Sequence, residues 1–534
     1  MVALAPFATR YATNGMVCSI DHLASSAGVA MLRAGGNAVD AAIATSAVLT
    51  VTSQHLCGMG GDLFALVHAP GMTAPAVLNS SGRAGSGADP DRVRAEGHTS
   101  IPRLRHVAAV PVPGCVDGWC ALHERFGTLA MEELLEPARQ LAERGFPVAP
   151  TLAMSARRLE SFADPAMGDY PAADALRPGA VMRRPGVART LAAIAAGGRA
   201  AFYEGEFGEG LVELGGGEFT ATDLARVQAD WVDGLSIEIP PWGRTLWTVP
   251  PNSQGYLTLA NAWMAATLPG LPSDPADERW PHLLVEVARQ AGHDRIDVLH
   301  EHADAGVLLD PARLAARRDA IDADRAGDLG APADRGGTIY LCTADGSGMG
   351  VSFIQSNYAG FGSMLVEPRT RIFLQNRGAG FSLVPEHPAE YGPGRRPPHT
   401  LAPALVTSLD GATVDCVLGT MGGDSQPQVL LQLLARRFLA GADPGDAIAA
   451  PRWVLAGAEV GFDVWSQGGT VRVAVEDHAP PSWFEGLSSR GHTVTRQPAW
   501  GGDFGHAHLI SFEPSGSLAG AADPRSLGGV ALGL

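Results

Sequence analysis

The sequence predicts an α+β fold in which stacked β-sheets are covered by helices. Helical periodicity dominates the earlier part of the chain, and a β pattern begins at Thr338. Hydrophobic residues make up 46% of the 534 residues, which is enough for a large buried core. No internal repeat or long polar linker divides the chain, so nothing forces it into independent domains.

The first elements are two helices and a strand. Apolar residues recur at helical spacing over residues 23–34, and Gly35-Gly36 predicts the end of this helix. Asn37 can cap a second helix with Asp40 three residues later, and the apolar run that follows predicts a helix buried on all sides. A glycine-rich turn then leads into a predicted strand over residues 63–68.

Helical segments continue between residues 122 and 316, including 131–144 and 280–301, and predict one continuous helical layer. A loop at 331–337 containing Pro, Asp and Gly then leads into a strand that starts at Thr338. Turn residues and a second strand complete a predicted hairpin. The turn covers 345–348, the second strand covers 349–356, and further strands are predicted at 371–375, 404–408, 414–418 and 506–512.

The charge balance bears on partners and location. A net charge of −17 disfavours nucleic acid and an anionic membrane as main partners, so a small-molecule substrate is expected. The N-terminus does not resemble a secretory signal, and no apolar run is long enough to span a bilayer. We therefore expect a soluble, cytoplasmic protein.

Cysteine and lysine usage exclude several chemistries. The six cysteines form no Cys-x-x-Cys pair, which favours reduced, buried thiols. All 39 basic residues are arginine. A Walker-type phosphate loop, a Schiff-base lysine and a Ser-Lys dyad are therefore excluded, and the only available amine base is a chain terminus. We predict no cofactor.

Three weaker patterns favour structural roles. The glycines of 58–62 and 378–380 lack the third glycine of a dinucleotide loop. The histidines of 300–302, predicted on a surface helix, and those of 506–508 lack a third ligand at metal-site spacing, so we predict no metal and no effect of chelators. No Gly-x-Ser-x-Gly elbow is present, which disfavours an α/β-hydrolase.

The segment Gly336-Gly337-Thr338 places a hydroxyl residue at the start of a strand, directly after a glycine pair. An autocleaving N-terminal-nucleophile (Ntn) hydrolase requires this pattern. Once the Gly337–Thr338 bond is broken, the new α-amine, with a pKa of about 7.7–8.0, can serve as base for the Thr338 hydroxyl. Taken alone, the pattern is more often an ordinary loop-to-strand junction.

A family resemblance covers the chain from about residue 15 to residue 530. Residues 15–42, ending in Leu-Arg-Ala-Gly-Gly-Asn-Ala-Val-Asp-Ala-Ala, resemble the opening signature of γ-glutamyltranspeptidases. Further family-like blocks follow in the same order at 110–114, 123–127, 250–255, 338–345, 361–363, 396–403, 422–423 and 522–526. The resemblance implies an αββα four-layer Ntn-hydrolase sandwich. Two autoprocessed subunits would build it, residues 1–337 and residues 338–534, and together they would form one domain.

The resemblance also implies catalytic roles. Thr338 falls at the position of the nucleophile and new N-terminus, with cleavage after Gly337. Ser356 falls where a hydroxyl residue orients the nucleophile. Gly422 and Gly423 match the family's backbone oxyanion hole, whose N–H groups stabilise a tetrahedral intermediate.

Several substrate-binding positions depart from the family pattern. His399 and Thr400 replace a pair of serines that help to hold substrate. Tyr358 replaces an asparagine two residues after the hydroxyl residue, and the segment 385–394 is shorter than the family's usual active-site lid.

The charged contacts to a γ-glutamyl group are altered as well. The family arginine that binds the substrate α-carboxylate is lost here or displaced to Arg83, and segment 376–380 has no acid for the substrate α-amine. Because a desolvated ammonium without a partner costs several kcal/mol, we expect glutamyl substrates to be poor. Arg83 and Arg377 are the two candidate clamps for a substrate anion.

The predicted function is hydrolysis of a small, carboxylate-bearing amide through an acyl-enzyme, as in family members resembling oxamate amidohydrolase or acylases of glutaryl-type amides. A true γ-glutamyl hydrolase or transpeptidase is the first alternative. An uncleaved, non-catalytic scaffold is the second. The expected partners are the amide substrate and the chain's own two subunits. The sequence does not decide whether the protein forms a homodimer.

Overall fold

The computed structural model describes residues 9–162, 164–170, 175–329, 337–456 and 472–534. Within these ranges two large β-sheets lie face to face, and smaller two- and three-stranded sheets lie beside them. The strands are β1 (Arg10–Ala12), β2 (Gly15–Ser19), β3 (Asp62–His68), β4 (Ala76–Ser80), β5 (Phe146–Pro147), β6 (Val181–Met182), β7 (Asp230–Val232), β8 (Leu235–Ile239), β9 (Arg244–Thr248), β10 (Gly337–Asp345), β11 (Gly350–Tyr358), β12 (Ala404–Ser408), β13 (Val414–Thr420), β14 (Trp453–Ala456), β15 (Arg472–Glu476), β16 (Thr493–Gln497), β17 (Ala507–Phe512), β18 (Leu518–Ala522) and β19 (Val530–Gly533).

Helices cover the outer face of each large sheet. They are α1 (His22–Arg33), α2 (Ala38–Thr52), α3 (Pro90–Ala95), α4 (Cys115–Phe126), α5 (Met131–Arg144), α6 (Pro150–Ala156), α7 (Pro185–Tyr203), α8 (Glu206–Gly215), α9 (Ala221–Ala225), α10 (Gly255–Thr267), α11 (Arg279–Gly292), α12 (Arg295–Val298), α13 (Ala305–Leu308), α14 (Pro311–Asp319), α15 (Gln426–Phe438), α16 (Pro444–Ala449) and α17 (Pro481–Ser489). Among the described residues, no helix is both long enough and apolar enough to cross a bilayer.

The two large sheets are antiparallel throughout. The first sheet has the strand order β19-β2-β10-β11-β3-β4-β7, and the second has the order β1-β18-β17-β13-β12-β9-β8. Each sheet takes strands from both sides of Thr338. In particular, β10 lies between β2 and β11, which come from opposite sides of it in sequence.

Three apolar layers hold this architecture together. One lies between the first sheet and a group of helices that includes α1, α2, α4, α5 and α7. A second lies between the second sheet and α10, α11, α15, α16 and α17. The third fills the space between the sheets, and its members include Phe64, Leu66, Tyr340, Leu405, Val417 and Ile510. The order helix, sheet, sheet, helix confirms the predicted αββα fold.

The predicted N-terminal helices are confirmed. Asn37 caps α2, since its Oδ1 accepts hydrogen bonds from the backbone N–H groups of Val39 and Asp40 at 2.9 and 3.0 Å. The Asp40 carboxylate accepts in return from the Asn37 N–H at 3.0 Å, which completes a capping box. All residues of α2 are buried, in agreement with its apolar sequence.

The predicted hairpin that begins at Thr338 is also confirmed, as β10 and β11. Residues 331–336 of the predicted loop, including Gly336, lie outside the described residues. Five of the six cysteines are buried, Cys120 is partly buried, and all six are free thiols.

Three predictions about secondary structure are wrong. The helices between residues 122 and 316 do not form one layer, because β7, β8 and β9 interrupt them and carry the chain from the first sheet to the second. The helix predicted over 280–301 ends at Gly292, so residues 300–302 are not helical. Residues 371–375 form only an isolated bridge through Phe373, since Arg371 has a φ of +62° that interrupts extended backbone.

The capping box generates a stability prediction. Asn37→Ala removes both cap hydrogen bonds and a 2.6 Å bond from Asn37 Nδ2 to the Phe126 carbonyl, and should lower the free energy of unfolding by about 1–2 kcal/mol. Asn37→Ser is the matched control, because serine keeps a cap acceptor and should lose less. Denaturant titration measures both, and equal stability of the alanine and serine variants would contradict the role of the cap.

Candidate active site

Thr338 is fully buried near the start of β10, an interior strand of the first sheet. Its Oγ1 lies 3.1 Å from the Oγ of Ser356 on the neighbouring strand β11. The Ser356 Oγ also accepts a hydrogen bond from the N–H of Tyr358 at 2.8 Å. The pairing of β10 and β11 is irregular between Gly337 and Ile339, on either side of Thr338. The structure therefore brings the predicted nucleophile and its predicted hydroxyl partner into contact.

Gly422 and Gly423 follow the end of β13 in the second sheet. The sheets pack so that Gly419 of β13 lies directly against the ring of Tyr340, which leaves no room for a side chain there. Tyr340 is two residues after Thr338, so the end of β13 and the start of β10 lie at the same end of the sandwich. Gly422 has a φ of +139° and Gly423 a φ of +55°, conformations that favour glycine.

Asp62, at the start of β3, links four segments around this end of the first sheet. Its Oδ1 accepts hydrogen bonds from the N–H of Gly82 at 2.9 Å, the N–H of Gly114 at 3.3 Å and the side chain of Gln375 at 2.8 Å. Its Oδ2 lies 3.1 Å from Nε2 of His399. Asp62 pairs directly with Ser356 in the sheet, so these segments are held close to Thr338.

His399 is held by hydrogen bonds at both ring nitrogens. Its Nδ1 accepts from the N–H of Leu401 at 3.2 Å, so Nε2 carries the proton that is donated to Asp62. Burial, together with the positive charge of Arg377, lowers the pKa of His399 to about 3. The imidazole is therefore neutral near pH 7 and orients neighbouring groups.

Tyr358, Arg377 and Thr400 form a second cluster beside the Thr338–Ser356 pair. The guanidinium of Arg377 lies 4.3 Å from the centre of the Tyr358 ring, and its Nη1 donates to Thr400 Oγ1 at 3.0 Å. Arg103 donates to the Tyr358 hydroxyl at 2.7 Å and lies 5.3 Å from the same ring. Tyr358 has a φ of +73°, a strained conformation that is frequent at functional sites.

Arg83 does not join this cluster. Its guanidinium forms a 2.6 Å ion pair with Asp230 and a 3.4 Å hydrogen bond with Gln228. Asp230 also binds Arg396 at 2.9 Å, so Arg83 is part of a separate ion-pair network. Of the two arginines predicted as anion clamps, the structure places Arg377 next to Tyr358 and Thr400.

Asp62 and Arg103 were not identified as site residues from the sequence. In the sequence, Asp62 stands at the end of a weak dinucleotide-loop pattern, and its four partners are distant from it along the chain. Arg103 lies in a segment without a recognisable motif, and only its approach to Tyr358 in the fold marks it.

Comparison with known proteins identifies the family of this chain. The family model described as Gamma-glutamyltranspeptidase matches residues 24–533. The chain belongs to the γ-glutamyltranspeptidase family.

Among the family's curated proteins, this chain is 35% identical to the oxamate amidohydrolase proenzyme of Klebsiella pneumoniae, over 98% of this chain and 99% of the relative. It is 34% identical to a glutathione hydrolase-like proenzyme of Bacillus subtilis, with the same coverage. A solved cephalosporin acylase from Bacillus halodurans is 33% identical and superposes with a TM-score of 0.87, over 100% of this chain and 98% of the acylase. This γ-glutamyltranspeptidase-family chain is an amidohydrolase of the Ntn class.

The environment of His399 generates a prediction about acid stability. The pKa of His399 is lowered from an ordinary value near 6.5 to about 3. Between these two pH values the unfolded chain therefore binds a proton at His399, whereas the folded chain does not. Stability is therefore lost as pH falls below about 6.5, by up to about 1.4 kcal/mol per pH unit from this one group.

His399→Gln removes this proton uptake and should flatten the dependence of unfolding free energy on pH by up to that amount. His22→Gln is the matched control for the substitution itself, since the His22 side chain is 67% exposed. Denaturant titrations between pH 4.5 and 7.5 measure both slopes. A His399→Gln slope equal to that of the wild type would show that His399 is not held neutral.

Proposed function

We propose that this enzyme cleaves itself before Thr338 and then hydrolyses a small amide whose far end carries a carboxylate. The observation that carries the proposal is the 3.1 Å contact between the buried hydroxyls of Thr338 and Ser356 at the start of a central strand. Two similar proteins are described as proenzymes, which supports processing.

Thr338 would act as both nucleophile and base. Cleavage of the Gly337–Thr338 bond frees the α-amine, which takes the proton of Oγ1 as that oxygen attacks the substrate amide carbon. Ser356 holds Oγ1 in place, and the N–H groups of Gly422 and Gly423 stabilise the oxyanion. The protonated amine then gives its proton to the leaving nitrogen, and water hydrolyses the Thr338 ester in a second round.

Arg377 is the better candidate for the substrate carboxylate. It is fully buried, and it lies against Tyr358, two residues after Ser356. A guanidinium can bind a carboxylate through two parallel hydrogen bonds. Arg103, on the same ring, adds positive charge, whereas Arg83 is already paired with Asp230.

A γ-glutamyl hydrolase is the second candidate, and the 34% identity to a glutathione hydrolase-like proenzyme favours it. Identity alone does not choose between this relative and the oxamate amidohydrolase, at 35%. The ammonium of a γ-glutamyl group argues against this candidate. Segment 376–380 contains no acid, and the nearby Asp62 carboxylate already accepts hydrogen bonds from four groups.

We also propose that the enzyme works in the cytoplasm. All six cysteines are free thiols, and a reducing compartment keeps thiols in that state. This location suits a small-molecule amide as substrate.

The first functional prediction concerns processing. Active protein should contain two chains, with a second chain that begins Thr-Ile-Tyr-Leu, because the α-amine of Thr338 is needed as base. Thr338→Ala should stay uncut and inert, and Thr338→Ser should retain part of both activities. Denaturing electrophoresis and N-terminal sequencing measure this. Thr343→Ser, on the same strand, is a control that should be cleaved normally. An active, intact wild-type chain would rule out the mechanism.

The second functional prediction concerns specificity. Arg377→Ala should raise KM for a carboxylate-bearing amide such as oxamate by about 10- to 100-fold, since it removes a charged hydrogen-bond donor. Arg83→Ala is the matched control and should change KM much less, because Arg83 is held by Asp230.

Steady-state kinetics on substrate pairs with and without an α-amine completes this test. Amides that lack the α-amine should be the better substrates. If γ-glutamyl anilide is hydrolysed more efficiently than every such amide, the γ-glutamyl hydrolase assignment replaces this one.

A further inference from the structure

Two histidines and a glutamate converge in the helical layer outside the second sheet. His282 and Glu286 are one turn apart on α11, and His492 lies just before β16. His282 Nδ1 is 2.8 Å from His492 Nε2, and His492 Nε2 is 3.7 Å from Glu286 Oε1. These three atoms all lie within 4.8 Å of one another, and all three residues are buried.

Neighbouring groups fix the orientation of these side chains. His282 Nε2 lies 2.9 Å from the carbonyl oxygen of Asp322, which can only accept, so Nε2 carries the proton and Nδ1 presents a lone pair to His492. Glu286 Oε2 accepts from the N–H of Gly327 at 3.0 Å, and Oε1 accepts from Arg289 at 2.7 Å. The hydrogen bonds to Asp322 and from Gly327 are outer hydrogen bonds of the kind that orients ligands at protein metal sites.

We propose that His282, Glu286 and His492 bind a zinc ion, contrary to the expectation from the sequence that no metal is bound. In a tetrahedral site with bonds of about 2.0–2.1 Å, ligand atoms are roughly 3.3 Å apart, and the observed separations of 2.8 and 3.7 Å lie on either side of this value. Zinc replaces the proton between the two imidazoles, and that proton moves from Nε2 to Nδ1 of His492. A water molecule completes the coordination.

The choice of zinc follows from the ligands and their surroundings. Two imidazoles and one carboxylate suit Zn²⁺, whereas Mg²⁺ and Ca²⁺ prefer oxygen ligands. The charge of Arg289 opposes any cation here, so the nitrogen ligands have to supply most of the affinity. The surface group of Glu96, His98 and His106 is a poorer candidate. Nδ1 of His106 accepts a hydrogen bond from the N–H of Ala108, so Nε2 carries the proton and has no lone pair for a metal.

The site would connect the two segments of the chain. His282 and Glu286 precede Thr338, whereas His492 follows it, so the ion would join the chains that the proposed cleavage produces. The cluster also holds Asp322 and Gly327, near the end of the first segment. Thr338 belongs to the other sheet, so this zinc has no part in the chemistry at Thr338.

Metal analysis and spectroscopy of the whole purified protein test the proposal. After removal of metal with a chelator, the wild type should take up close to one equivalent of Zn²⁺, and zinc should raise its melting temperature. Cobalt, used as a probe, should give the intense visible absorption of tetrahedral coordination. His492→Gln should lose the stoichiometric uptake and the thermal shift, and His106→Gln, in the surface group, should keep both.

The opposite results identify a hydrogen-bonded histidine pair that binds no metal. One such result is that the wild type binds Zn²⁺ no more tightly than His492→Gln does. The other is that cobalt bound to the wild type gives the weak absorption of octahedral coordination. Because the wild-type cobalt spectrum needs no variant, misfolding of His492→Gln does not obscure the answer. None of these measurements uses amide hydrolysis, so their outcome is independent of the proposed function.

Discussion

The carboxylate of Asp62 is buried at the start of β3, beside Ser356, and accepts hydrogen bonds from four segments of the chain. A carboxylate in this position is costly unless its oxygens are satisfied, so the loops that supply the donors are fixed relative to the sheet. His399 is one of these donors, and the adjacent Thr400 accepts from Arg377. The positions of the Thr338 and Ser356 hydroxyls and of the cationic cluster therefore depend on the same buried group.

The strand order imposes a second constraint. β10 is hydrogen-bonded to β2 on one side and to β11 on the other, so Thr338 begins a strand that cannot shift without disturbing the sheet. The glycine pair follows β13 of the second sheet, and Gly419 of that strand packs closely on Tyr340 of β10. The proposed nucleophile on one sheet and the candidate oxyanion loop next to the other are thus positioned by the packing of the two sheets.

Local patterns in the sequence were sufficient to predict the elements whose hydrogen bonds join neighbouring residues. The capping box at Asn37 and the hairpin at Thr338 are examples, because their hydrogen bonds join residues close in sequence. The collinear family resemblance extended this to the layer order and to the Thr338–Ser356 pair. Asp62 could not be identified as a centre of contacts, since its partners lie between 20 and 337 residues away. The sequence offered Arg83 and Arg377 equally as anion clamps. Only the fold distinguishes them, because Arg83 forms an ion pair with Asp230 and Arg377 lies against the Tyr358 ring.

The electrostatics of the site support the proposal that its substrate is an anion rather than a zwitterion. His399 is neutral near pH 7, and the Asp62 carboxylate is saturated by hydrogen-bond donors, so neither provides a partner for a substrate ammonium. Arg377 and Arg103 both lie against the Tyr358 ring and give this part of the site a positive potential. A substrate that brings only a carboxylate gains from that potential, whereas a γ-glutamyl group must also desolvate its ammonium. Under the proposed function, the absence of an acid from segment 376–380 would therefore change which substrates are favoured without altering the Thr338–Ser356 pair.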